Sequence, residues 1–262
     1  MTADNKVGEG TWRASDAWIC AVILIVVSFC VNQLLWRISR DSAACATWLG
    51  SPLGTLALRS LRAGWWLVVV YLLARVHSVP EFVSRCGLST PPSLMGWFAA
   101  WVGVGIGLLN LYGVTRGWIP QSETSSNYYL HGGVMWWSYV AYLVFLVPFF
   151  EETVMRGFLY RAFRGTYGVA PSVIFVVCVV GYFHWGLLSC PLSFMCLVTG
   201  AVFLCVIRER TTSLWNCILF HAAYNATVTL HWWFYVFGLV ALLPLCVRLT
   251  SERARQKTES IP

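Results

Sequence analysis

Charge is scarce in this sequence. Asp, Glu, Lys and Arg together make up 11% of its 262 residues, against roughly 25% in an average soluble domain. Hydrophobic residues reach 58%, which leaves too little polar chain for a separate soluble domain. No Cys-x-x-Cys pair occurs among the ten cysteines, and this removes the metal knuckle and the redox dithiol. Cys20, Cys30, Cys178, Cys196, Cys205, Cys217 and Cys246 lie inside apolar runs, where a thiol behaves as a small hydrophobe. Only Cys45, Cys86 and Cys190 are near loops. Internal repeats and low-complexity tracts are missing too, so the chain is no repeat array.

What the chain has is long apolar runs. A membrane span needs about 20 predominantly apolar residues, and the runs Ala17 to Trp36, Ala63 to Val79, Leu94 to Val114, Val134 to Arg164, Val169 to Leu188, Pro191 to Ile207, Thr212 to Leu230 and Trp232 to Leu249 each approach that. The expected fold is therefore all-α, a polytopic membrane helix bundle of about eight transmembrane helices. Ser42 to Ala46 (SAACA) offers small residues for signal cleavage. The first run, however, exceeds a signal core of roughly 7 to 15 residues and reads as an uncleaved span. The expected organisation is an N-terminal segment 1–16, N-terminal transmembrane helices 17–130, a core of further helices 131–249 and a charged tail 250–262.

An even number of spans puts both termini on one side. Lys6, Arg13, Arg75, Arg85, Arg156, Arg161, Arg164, Arg208, Arg210, Arg248, Arg253, Arg255 and Lys257 then share that side, while Arg37, Arg40, Arg59, Arg62 and Arg116 face the other, four of them in the first loop. The positive-inside rule makes both termini cytoplasmic, most simply in a bacterial cytoplasmic membrane. The net charge of +7 thus reads as contact with headgroups, and no nucleic-acid partner is expected. Trp65/Trp66, Trp136/Trp137 and Trp232/Trp233 suit an aromatic belt at span ends. His77, His131 and His231 lie near span ends as well.

Polar groups that interrupt apolar runs are more informative. Glu151, Glu152 and Arg156 break one run, His184 a second, and His221 with Asn225 a third. An acid at the centre of a membrane helix costs about 2.5 to 3.5 kcal/mol on insertion scales, so such groups face a cavity and act there. Glu152 and Arg156 are i and i+4 with the acid first, the order that favours an ion pair. Glu151 is turned about 100° away and is freer to face the bundle interior as a general base. His221 and Asn225 are again i and i+4 and are placed to donate to an oxyanion. His184 could complete a Glu/His pair holding a water. The plainer alternatives are a structural clamp for Glu152 and Arg156, a buried neutral acid for Glu151, a packing role for His184, and interhelical polar bonding for His221 and Asn225.

These residues are recognisable. EETVMRGFLY (Glu151 to Tyr160), His184 and HAAYN (His221 to Asn225) resemble the EExxxR, FxxxH and HxxxN/D motifs of the CAAX protease and bacteriocin-processing family of intramembrane endopeptidases. The resemblance covers about 137–229, and EFVSRCGLSTPP (Glu81 to Pro92) looks like the short "GL" linker that often precedes the family core. One position departs: Val180 stands where the second motif has Phe, with Phe183 beside the histidine. The resemblance implies hydrolysis of a peptide bond in a lipidated, prenylated or membrane-tethered peptide. Glu151 would activate water with His184 as partner, His221 and Asn225 would stabilise the oxyanion, and Glu152 with Arg156 would support the site. Two histidines and a glutamate could ligate zinc, but His-Glu-x-x-His spacing is absent, so a metal-free glutamic mechanism with no cofactor is favoured. The rival expectations are a non-catalytic scaffold or bacteriocin self-immunity protein of the same fold, and a proton-coupled transporter.

Overall fold

The computed structural model describes residues 12–74, 78–116, 118 and 133–230, and among these every regular element is helical. Helix α1 (Ala14–Asp41) runs 28 residues, about 42 Å at 1.5 Å per residue. The Asp16 carboxylate accepts from the Arg13 backbone N–H at 3.2 Å and so starts it. A short α2 (Ala43–Gly50) begins where Ser42 Oγ accepts from Cys45 N. Helix α3 (Pro52–Leu73) begins where Ser51 Oγ accepts from Gly54 N, with Pro52 in the first turn.

The start of α3 corrects the expected second span, which was placed at Ala63 to Val79. Hydropathy dismissed Leu53–Arg62 as a loop because of Arg59 and Arg62, whereas the Ser-Pro start signal at Ser51 and Pro52 nucleates helix there. Arg37 and Arg40 close α1, and Arg59 and Arg62 lie within α3. Trp66 is consequently not at a span end; it is buried and packs on Phe183 with ring centroids 4.4 Å apart.

Helix α4 (Val79–Cys86) ends on Gly87 at φ +83°, the left-handed region open to glycine. The Gly87-Leu88 linker is tied down by the chain that precedes the last described helix. Leu214 N donates to Gly87 O at 2.9 Å, Trp215 Nε1 to Leu88 O at 2.8 Å and Ser213 Oγ to Thr90 O at 2.6 Å. The buried Arg208 adds bonds from its guanidinium to the carbonyls of Cys86, Thr212 and Arg156. Helix α5 (Leu94–Thr115) follows, then α6 (Gly133–Tyr167), α7 (Val169–Phe183), a 3₁₀ turn (Trp185–Ser189), α8 (Pro191–Arg210) and α9 (Trp215–Leu230).

Five of these helices, α1, α3, α5, α6 and α8, are long and apolar enough to cross a membrane. The protein is an all-α membrane bundle, with large apolar side chains such as Trp18, Val22, Phe29, Leu61 and Phe98 exposed on its outside. The expected count of eight is not reached among the described residues. Helix α7 has 15 residues and α9 has 16, about 22 to 24 Å each. The eighth run, Trp232 to Leu249, lies outside the described residues, as do His77, His131, His231, Trp232, Trp233 and the tail 250–262.

Helix α5 packs backbone to backbone on α9. A Cβ on Gly103 would stand 2.4 Å from Phe220 O, one on Gly107 2.8 Å from Thr227 Cβ, and one on Gly96 2.2 Å from Asn216 Oδ1. Glycines at such spacing let membrane helices approach closely. Every described cysteine is a free thiol.

Candidate active site

Three helices bring the polar interruptions together. Glu151, Glu152 and Arg156 come from the middle of α6, His184 from the end of α7, and His221 and Asn225 from α9. All six line one cavity of about 230 Å³ inside the bundle.

Helix α6 is interrupted by two π-helical stretches, Tyr142–Leu146 and Thr153–Leu159, on either side of the glutamates. Such stretches recur at functional sites because they redirect side chains and release backbone groups. The cause of the first is Pro148. Val147 N donates five residues back, to Tyr142 O, and the next residue, Pro148, has no N–H to offer Leu143 O. That carbonyl is filled from another helix: Asn225 Nδ2 donates to it at 2.8 Å.

Glu152 is fully buried, and its Oε1 accepts twice, from Arg156 Nη1 at 3.1 Å and from His221 Nδ1 at 2.8 Å. Arg156 Nη2 donates onward to Ala201 O on α8 at 3.1 Å. The expected Glu152–Arg156 pair is therefore present; the bond to His221 was not anticipated. A carboxylate only accepts, so Nδ1 carries the His221 proton and Nε2 is the free nitrogen. Glu151 is half-buried beside this cluster and lines the same cavity.

His184 corrects the expected fifth span, which ran unbroken to Leu188. The helix stops at Phe183, and His184 (φ −115°, ψ 22°) caps it. Its Nδ1 donates to Val180 O at 2.9 Å, a carbonyl that also accepts from the His184 backbone N–H at 3.1 Å, so the ring is held against the helix end. Nε2 again is left free. Because the bond goes to a backbone oxygen, it does not depend on the side chain at position 180.

Residues 133–227 match the family described as Rce1-like, type II CAAX prenyl endopeptidase. This stretch is Rce1-like. No curated protein and no solved structure matches the chain significantly. The Rce1-like stretch contains α6, α7, α8 and nearly all of α9, hence all six residues singled out from the sequence.

Two further polar residues belong to the site. Tyr224 lines the cavity, and its hydroxyl accepts from Asn110 Nδ2 on α5 at 2.7 Å. Asn110 lies before the Rce1-like stretch; it is buried in an apolar helix, and the rule that exposed the other six residues applies to it equally. The rest of the lining is largely apolar, including Ile106, Leu197 and Phe220. Among the described residues no three His, Cys, Asp or Glu side chains converge as a metal site requires.

Proposed function

We propose that this chain is an intramembrane glutamic endopeptidase that hydrolyses a peptide bond in prenylated, otherwise lipidated or membrane-tethered peptides. The observation that carries this reading is the convergence of Glu151, Glu152, Arg156, His184, His221 and Asn225 on one cavity within an Rce1-like stretch. A largely apolar chamber with a few placed polar groups suits a peptide bearing an apolar modification.

Glu151 acts as the base and His184 Nε2 accepts the second hydrogen of the same water. The water oxygen attacks the scissile carbonyl carbon and passes a proton to Glu151, while the carbonyl π pair moves onto its oxygen. Asn225 keeps one N–H after bonding Leu143 O and directs it at that oxyanion, and His221 donates to it from Nε2 as the imidazolium. Collapse of the intermediate re-forms the carbonyl, breaks the C–N bond and takes the proton from Glu151 to the leaving amine. Glu152 fixes the His221 tautomer, and Arg156 fixes Glu152. None of these steps calls for a metal ion.

The test is the full-length protein in nanodiscs with a fluorogenic farnesylated CAAX peptide. The wild type is expected to cleave it, E151Q and H184A to lose cleavage, and a zinc chelator to leave the rate unchanged. Cleavage that survives E151Q, or activity lost to the chelator and restored by zinc, overturns the mechanism. Proton-coupled uptake in liposomes without proteolysis overturns the enzyme reading itself.

A further inference from the structure

The oxyanion that this reading requires is poorly supplied with donors from the residues already named. His221 has spent its Nδ1 proton on Glu152 and offers a second only as the imidazolium. Asn225 has spent one of two N–H groups on Leu143 O. His184 has spent its Nδ1 proton on Val180 O. Arg156, the charged donor of the cavity, directs one N–H of Nη1 to Glu152 and one of Nη2 to Ala201 O and also bonds Cys205, and its Nε is buried without a partner.

Tyr224 is differently placed. It stands three residues after His221 on α9, on the same helical face, beside Asn225, and lines the same cavity. Asn110 Nδ2 can only donate, so the Tyr224 oxygen accepts in that 2.7 Å bond and its own proton is uncommitted. The close approach of α5 to α9 at Gly103 and Gly107 holds Asn110 against the phenol and fixes its direction.

We infer that the Tyr224 hydroxyl, oriented by Asn110, donates a hydrogen bond to the tetrahedral oxyanion and is the second neutral donor of the site, with Asn110 its positioning residue. The inference rests on the endopeptidase reading. In the step it serves, water adds to the carbonyl carbon and the π pair goes to oxygen. Tyr224 keeps its proton throughout and shares it with that oxygen only while the negative charge exists.

Y224F keeps the ring and removes the donor, so the test compares Y224F with wild type in nanodiscs on the cleaved peptide. Loss of one oxyanion donor lowers kcat about 10²- to 10³-fold, and KM is expected to stay within about twofold because the ground-state carbonyl gains little from that bond. A phosphinate analogue of the peptide, which mimics the tetrahedral oxyanion, is expected to lose affinity for Y224F by a comparable factor. E151Q and E151Q/Y224F should bind the intact peptide equally, and N110L should lose part of kcat without changing peptide affinity. An unchanged kcat in Y224F overturns the inference. So does an equal loss of peptide and phosphinate affinity, which marks a packing role. Wild-type protein that cleaves nothing and behaves as E151Q overturns the endopeptidase reading first, an outcome distinct from either.

Discussion

Adjacent glutamates on one helix differ here in what each already holds. Glu152 is fully enclosed, and its Oε1 is engaged by both Arg156 and His221. Glu151 has the cavity in front of it. Substituting each in turn should therefore give opposite signatures. E152Q leaves the buried Arg156 without a counter-charge, and breaking a buried pair in this way costs about 3 to 5 kcal/mol. It should lower the melting temperature in detergent clearly, whereas E151Q should abolish hydrolysis and leave the melting temperature near wild type. Equal melting temperatures for the two variants would mean that Glu152 is not the structural member. The sequence spacing already paired Glu152 with Arg156 through their i, i+4 relation. It could not reveal the bond to His221, because the partner comes from α9, 69 residues away in the chain.

Helix-to-helix distance controls the site as much as side-chain identity does. His221, Tyr224 and Asn225 all ride on α9, and α9 is seated against α5 by Gly103, where an added Cβ would meet the Phe220 carbonyl at 2.4 Å. G103V cannot be absorbed by a rotamer change, because the obstacle is backbone. We expect about 1 to 3 kcal/mol of destabilisation from overpacking and a fall in kcat, although residue 103 does not line the cavity; thermal unfolding and peptide cleavage on the same preparation check both. An active, fully stable G103V would show that α5 and α9 can separate freely. Hydropathy made α1, α5, α6 and α8 legible because long apolar runs leave few alternatives. It misplaced the start of α3 and ran α7 through His184, since both boundaries turn on one residue, the Ser51 Oγ cap and the non-helical backbone of His184, which an average over a window cannot register. The π turn of α6 had a visible cause in Pro148, but its consequence, a carbonyl freed for Asn225, depends on where α9 lies.

Across the whole molecule, the length of α6 decides how deep the site sits. The helix continues through the glutamates and both π-helical stretches to Tyr167, so Glu151 is close to the midpoint of the 35-residue Gly133–Tyr167. At 1.5 Å per residue that helix is about 52 Å long, beyond a hydrocarbon core of about 30 Å, and its C-terminal turns must emerge from the membrane. The emerging end is charged and paired: Arg164 meets Glu209 of α8 at 2.8 Å, and the Tyr160 hydroxyl donates to the same carboxylate at 3.0 Å. Arg161 donates to Arg85 O beside it, so the ends of α4, α6 and α8 share one face. Burying such a cluster in lipid would cost several kcal/mol, while anionic headgroups on the cytoplasmic leaflet favour its excess of arginine. We propose that this face is cytoplasmic. Fusions ending after Arg210 should fluoresce when the reporter is green fluorescent protein and stay inactive when it is alkaline phosphatase, with the reverse pattern for fusions in the α1–α3 connection near Gly50. If the pattern is inverted, Arg37, Arg40, Arg59 and Arg62 become the cytoplasmic set, and the substrate must reach Glu151 from the opposite side of the membrane.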